Sequence, residues 1–454
     1  MADALNVAFS FRPVSIQVLD ALHNASLEIL SQTGVNVHLP ELRRMLADAG
    51  ARVENDRRVF IPASLVDRAL ASAPSRIDLY DRRGRLAMSL EGTRCYFGTG
   101  SDLEFTLDHT GRRKSVLRDV ERSARLCDRL ANIDFVMSYA LPGDVAGPKI
   151  ELEQFRVMLE NTAKPIIMTE YSGLKSLEAL HRLACDRGPG ENGFRQKPNY
   201  IIYGQFVSPL QHDAGSLERL VFCADQTIPL IYVPTIMMGA SGPVTLAGAL
   251  ALANAECLAG LVMHQLRKPG SPFIYGGCVS PLDMATTVFS YGTPEWRIAD
   301  AVLSALSQRY NLPIFGTAGT TDAKAIDVQA GAEWAYSLLT CVLAGTNLIH
   351  DVGYMESGLT GSLEALVICD EIIAMVKRLV NGFTISEETL ALDLIRATGP
   401  AGHFLETDHT LNHFREHTWY PFLFDRKRFD EWKVGRDILQ TARQRVTELL
   451  CENH

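Results

Sequence analysis

The feature that most constrains this chain is a repeat of shape rather than of residues. Eight short apolar runs, each ending in a cluster of Gly, Ser, Thr, Asp or His, are each followed by a helical stretch. The runs occupy residues 94–99, 134–140, 165–170, 200–206, 229–234, 272–278, 312–317 and 347–351. Their helices lie near 117–131, 149–162, 174–185, 214–225, 244–267, 294–310, 327–344 and 362–380. Strands apolar on both faces and alternating with helices imply a parallel sheet covered all round. Eight such units in about 290 residues point to a closed barrel, with a doubly wound open sheet as the alternative. The expected fold is α/β: a (β/α)8 TIM barrel over residues 93–380, with a helical N-terminal cap (1–92) and a helical C-terminal tail packed on the barrel (381–454).

Composition narrows the partners. Of the 454 residues, 47 % are apolar and 21 % charged, enough for a large core and too ordered for global disorder. Lys plus Arg number 44 against 53 Asp plus Glu, a net charge of −9 with no basic run, which argues against duplex nucleic acid. The start lacks a basic segment followed by an apolar one, so no secretory signal is expected. Thr227 to Ala253 carries no formal charge, yet Pro229, Pro234, Pro243 and three glycines fit strand, loop and helix better than a lipid-facing span. Nine cysteines without a CxxC pair fit reduced thiols and a cytoplasmic location.

In a parallel barrel the strand C-termini and the loops after them build the site. No His-x-His opens the barrel, no Lys ends a strand, and the turn Gly98 to Asp102 is neither a GxGxxG nor a Walker pattern. The strand ends instead collect aromatics and carboxylates. A quaternary ammonium group has no N–H to donate, so ring faces and anionic oxygens hold it. Tyr96, Tyr139, Tyr171, Phe206 and Tyr354 can supply rings, and Asp102, Glu170 and Glu356 charge. Packing at a barrel mouth explains any one of these tyrosines more simply, and the signal lies in the collection. His350, followed by Asp351, can bind a substrate carboxylate, move a proton or tie down a loop. Alternation along a strand lets only one of that pair face the mouth. Arg297, just inside a helix start, is a candidate carboxylate clamp.

His409, His413 and His417 fall at four-residue steps near the end. Residues four apart share a helix face, but the outer two are separated by about 12 Å along a helix, too far for one tetrahedral ion. The stretch is read as a structural tail, and no tightly bound metal is expected.

Several segments together resemble the trimethylamine:corrinoid methyltransferase family. They are Ala25 to Val35, Gly98 to Asp102, Gly316 to Lys324, His350 to Gly361 and His409 to Arg415, in an order that spans nearly the whole chain. The resemblance implies a (β/α)8 barrel that moves a methyl group from a methylated amine to the Co(I) of a corrinoid (cobalamin) carried by a separate partner protein. The family's best-known member uses pyrrolysine, whereas every position here is one of the twenty ordinary residues. That departure favours a quaternary amine such as glycine betaine over trimethylamine. On this reading Asp102, Glu170 and Glu356 act electrostatically, and Tyr96, Tyr139, Phe206 and Tyr354 form a cage. His350 anchors substrate, with Gln205 and Thr320 as polar contacts. A tertiary methylamine substrate and a non-catalytic betaine-binding protein are the alternatives. Self-association as a homo-oligomer is compatible with the chain, which marks no interface.

Overall fold

The computed structural model describes residues 5–7, 14–188, 190–432 and 437–451. Seven of the apolar runs form one parallel ladder. Its strands are β1 (Tyr96–Phe97), β2 (Ile166–Thr169), β3 (Tyr200–Phe206), β4 (Leu230–Met238), β5 (Phe273–Gly276), β6 (Ile314–Thr317) and β7 (Leu348–His350). They are ordered β2-β3-β4-β5-β6-β7-β1, so the last strand curls back to pair with the first. A short strand, Cys278–Pro281, continues the line of β5 and pairs with the second half of β4. Successive strands are neighbours because each is followed by a covering helix, the connection that parallel pairing requires.

The run expected over residues 134–140 does not form a ladder strand. It lies between β1 and β2, held by isolated bridges of Phe135 with Gly98 and Ala140 with Leu103 on one side and of Val136 with Ile166 on the other. Side chains supplement the backbone bonds that the run makes to both neighbours. Asp134 Oδ2 accepts from the Phe97 amide at 2.9 Å, and the Thr99 hydroxyl accepts from the Met137 amide at 2.8 Å while donating to its carbonyl.

Alternation along the strands sends Ile167, Ile201, Ile231, Val233, Ile274 and Phe315 into the interior of the curl. An antiparallel hairpin, Ile77–Tyr80 with Leu86–Leu90, adds Ile77, Leu79, Met88 and Leu90 to that interior cluster. The hairpin therefore plugs the N-terminal end of the sheet, leaving the C-terminal end as the mouth.

The covering helices follow the expected spans, and Pro294–Tyr310 matches to the residue. The Thr293 hydroxyl caps its start, Pro294 opens its first turn, and Asn311 in the left-handed region ends it. The helix Leu246–Arg267 is long and apolar enough to cross a membrane, but 83 % of its apolar window is buried inside the protein. It is apolar all round because the sheet covers one side and the helices Ile16–Glu28 and Ala63–Ser72 the other. Ser26 donates to the Ala251 carbonyl at 2.9 Å and accepts from Asn254 Nδ2 across that contact.

The N-terminal region is not purely helical. Val35–Val37, Arg52–Glu54 and Arg58–Phe60 form a small sheet, completed by Gln211–His212 from the loop after β3. The strand read from sequence at Val59 to Ile61 matches Arg58–Phe60, whereas its neighbours are too short to show a period and one of the sheet's strands lies some 170 residues away. The tail is mostly helical, though Phe383–Ile385 pairs with Leu5–Val7. Its last helix, Ile438–Cys451, packs on Leu117–Arg129 and Leu363–Val380.

Candidate active site

Strand geometry decides which of the expected residues reach the mouth. In β3 the interior Ile201 and Tyr203 put Gln205 inward and Phe206 outward. Gln205 is exposed at the mouth and donates to the Thr235 hydroxyl. Phe206 stacks on Tyr232 outside the sheet, centroids 4.4 Å apart, and so belongs to no ligand cage. Tyr96 also leaves the cage: it is inward but at the plugged end, where its hydroxyl accepts from the Ser89 amide at 3.0 Å.

Asp102 gathers three strand ends. After Gly98 and Gly100 the chain enters the left-handed region at Asp102, with φ of 63°. Its Oδ1 accepts from Ser138 Oγ at 3.1 Å and Gln154 Nε2 at 3.0 Å. Its Oδ2 accepts from Thr169 Oγ1 at 2.7 Å and the Tyr171 hydroxyl at 3.4 Å. Four donors occupy the acceptor positions of one carboxylate. Asp102 is thus a fixed negative charge with no lone pair left over for a further N–H donor.

His350 and Asp351 both reach the mouth, contrary to the alternation expected of a strand. β7 ends at His350, and Asp351 turns into the left-handed region with φ of 70°. The His350 ring stacks on Phe315 at 3.9 Å, and its Nδ1 lies 2.8 Å from the Gly316 carbonyl. A carbonyl only accepts, so Nδ1 carries the proton and Nε2 the lone pair. Asp351 Oδ2 is 3.2 Å from that Nε2. Burial lowers the imidazole pKa to about 3 and holds the Asp351 carboxyl well above the usual carboxylate range. Burial thus disfavours charge on both partners, and in their uncharged form the carboxyl donates to the ring. Gly100 is needed opposite: a Cβ there would fall inside the Asp351 carboxylate and the Tyr354 phenol.

Rings surround this group. Burial pushes the phenols of Tyr203, Tyr291 and Tyr354 up, and Asp351 lies close enough to each to add to the shift. Tyr354 donates to the Ser101 carbonyl, and its ring is 6.3 Å from that of Tyr139. Tyr139 sits behind it, fully engaged with Ser362 through a 2.8 Å bond from the amide and a 3.0 Å bond to the carbonyl. Tyr291 and Tyr203 were not among the residues expected from sequence. Tyr291 lies on the long loop between Cys278–Pro281 and the next helix, where no period marks a position; Tyr203 lies within a strand apolar on both faces, which hides the side it takes.

The other expected residues lie elsewhere. Glu170 points out of the sheet to Arg219, 3.4 Å away, and is 2 % exposed. Glu356 pairs with Arg112 at 2.7 Å on the rim. Burial there is outweighed by the Thr360 and Arg112 hydrogen bonds, which hold its pKa below the usual value. Thr320 is wholly buried, bonded to the Tyr291 carbonyl at 3.4 Å. Arg297 is buried between its helix and the end of β6, where it donates to the Thr317 carbonyl and pairs with Asp300 at 3.2 Å. Its guanidinium also lies close enough to Asp351 to pull that carboxyl's pKa down against the effect of burial. Asp102, Tyr171, Gln205, His350, Asp351 and Tyr354 remain from the sequence reading, joined by Tyr203 and Tyr291.

The family model described as trimethylamine methyltransferase (MTTB) matches residues 5–454. A trimethylamine methyltransferase MttB of Desulfitobacterium hafniense is 32 % identical, over 98 % of this chain and 90 % of that protein. One from Methanosarcina barkeri is 33 % identical over 96 % and 90 %. A glycine betaine methyltransferase of Desulfitobacterium hafniense is 29 % identical over 95 % and 90 %. Among solved structures, the Methanosarcina barkeri monomethylamine methyltransferase MtmB superposes with a TM-score of 0.57 at 10 % identity, over 97 % of this chain and 89 % of that one.

Proposed function

Because this chain belongs to the trimethylamine methyltransferase family, we propose that it moves a methyl group from a quaternary amine, glycine betaine or a related betaine, to the reduced cobalt of a corrinoid on a partner protein. In this reading the curled sheet, with the bridging run between β1 and β2 as an eighth strand, is a closed (β/α)8 barrel. The scattered, unpaired cysteines support a cytoplasmic enzyme.

The observation that carries the substrate class is the state of Asp102. A carboxylate whose acceptor positions are filled by Ser138, Gln154, Thr169 and Tyr171 still exerts its charge but offers little to an N–H donor. That suits a cation without N–H, held by charge and by tyrosine faces. The strand-end residues named at the mouth include no lysine or arginine to repel it. The 29 % identical glycine betaine methyltransferase supports the same class.

The mouth also fits a protein-carried macrocycle. Val207, Val244, Met284 and Leu359 stand exposed on the loops after β3, β4, β5 and β7, an apolar rim for a partner to cover. When bound, the corrinoid supplies the nucleophile, so the chain needs none of its own. Asp102 and the rings of Tyr171, Tyr203, Tyr291 and Tyr354 orient the cation with one methyl outward. The N–methyl bond breaks with its electron pair kept by nitrogen, and the product departs as a neutral tertiary amine. No side chain has to deliver a proton, consistent with a neutral His350.

The test is to incubate the full chain with a reduced corrinoid protein and each of a panel of betaines, trimethylamine and dimethylamine, following the corrinoid spectrum. Methyl transfer from a betaine is expected. Transfer from trimethylamine alone, or tight betaine binding by calorimetry with no transfer, would overturn the reading.

A further inference from the structure

The tail carries a second cluster that the methyl-transfer reading does not use. The helix Asp408–His417 presents His409, His413 and His417 along one face, with ring centroids 4.6 and 5.8 Å apart. That face borders a cavity of about 410 Å³. The Thr407 side chain caps the helix, and Arg378 from the core helix Leu363–Val380 donates to the His417 carbonyl at 2.9 Å, fixing the far end.

The spacing argument against one ion on both His409 and His417 stands, but the structure brings a different trio together. His413, Glu416 and His417 each place one ligand atom so that all three lie within 4.8 Å of one another. Metal–ligand bonds of about 2.1 Å in a tetrahedral site put ligand atoms about 3.4 Å apart, a gap that small side-chain rotations close. The three positions, at i, i+3 and i+4, lie on adjacent turns of one helix. A further oxygen donor is already in place: Glu388 Oε1, from the turn Glu387–Leu390, is 3.2 Å from His413 Nε2.

We propose that His413, Glu416 and His417 bind one zinc-class divalent ion, with Glu388 as the nearest further donor. Two imidazoles and a carboxylate suit zinc, cobalt or nickel rather than magnesium or calcium, which prefer oxygen alone. The ion would join the helix Asp408–His417 to the Glu388 turn and pin the tail. It lies apart from the strand-end mouth and takes no part in methyl transfer.

The test uses the full chain, stripped with a chelator and titrated with zinc against a chromophoric competitor, and with cobalt(II) for its visible spectrum. One zinc per chain and intense tetrahedral cobalt bands are expected. Loss of a second-shell partner already weakens a metal about 10–100-fold, so His413→Ala and His417→Ala should each weaken zinc about 100-fold or more. Melting in chelator should be the same for variant and parent, since these side chains are not part of a core; zinc should raise the melting temperature of the parent alone. Absence of saturable zinc binding overturns the proposal. So does binding that survives both substitutions, or that is lost with His409→Ala but not with His417→Ala.

Discussion

The His350 imidazole and the Asp351 carboxyl, neighbours in the chain, meet across 3.2 Å at the mouth of the sheet, where burial disfavours charge on either. Adjacent residues of a strand cannot do this, and the pair exists because the strand stops between them. The neutral form predicts the effect of a neutral isostere. Asp351→Asn can still donate to Nε2 and should keep stability within about 1 kcal/mol of the parent, whereas Asp351→Ala leaves Nε2 without its partner and should cost about 1–3 kcal/mol. Thermal melts of the two variants decide it; equal losses would mean that the pair is ionic or unimportant.

Asp102 should matter through charge alone. Asp102→Asn preserves size and can redirect its hydrogen bonds to hydroxyls that rotate, so the fold should hold. At an effective dielectric of about 20, a unit charge some 5 Å from a cation contributes about 3 kcal/mol, of which solvent at the mouth removes part. Quaternary amine affinity measured by calorimetry should fall about 10- to 100-fold.

Gly100 leaves the space that the Asp351 carboxylate and Tyr354 phenol occupy. Gly100→Ala should displace both, costing about 1–3 kcal/mol of stability and lowering amine affinity at least as much as Asp102→Asn. A crystal structure of the variant with both side chains unmoved would contradict this.

Phe206 tests the opposite expectation. Packed on Tyr232 and His212 behind the sheet, it should behave as core. Phe206→Ala should cost about 3–5 kcal/mol, while amine affinity of the folded protein at low temperature stays unchanged.

Glu256, beneath the loop that follows β3, gives a pH signature of its own. Wholly buried, its carboxyl accepts from the Ser208 hydroxyl and the Leu210 amide, and burial raises its pKa to about 7. In the unfolded chain it ionises near its ordinary value, so its favourable contribution is complete in acid and is lost as pH rises through 7. Glu256→Gln keeps both hydrogen bonds without the charge. It should stabilise the protein by roughly 1–3 kcal/mol at pH 8, with the gain over the parent shrinking towards zero at pH 4. Melting temperatures of both forms across that range measure it.

How the site was legible follows from the same residues. Strand ends could be located because apolar runs stop at Gly, Ser, Thr or Asp, and that located Asp102, Gln205, His350 and Tyr354. The side each residue faces was hidden, because these strands are apolar on both faces and show no polar alternation to read. Phe206 and Glu170 therefore looked like mouth residues, although one packs on Tyr232 and the other pairs with Arg219. Tyr96 faces inward but opens its strand, and so lies at the end that the Ile77–Leu90 hairpin plugs.

The sequence by itself determined the alternation of strand and helix, the acidic surface without a basic run, and the family. Those rest on local patterns of apolar residues, turn formers and charge. Only the tertiary structure decided that Asp102 is saturated by donors from four other residues, that His350 and Asp351 meet where burial disfavours charge on either, and that Tyr291 joins them. Each depends on residues brought together from distant segments, and on burial that shifts their protons, which no local stretch of chain encodes.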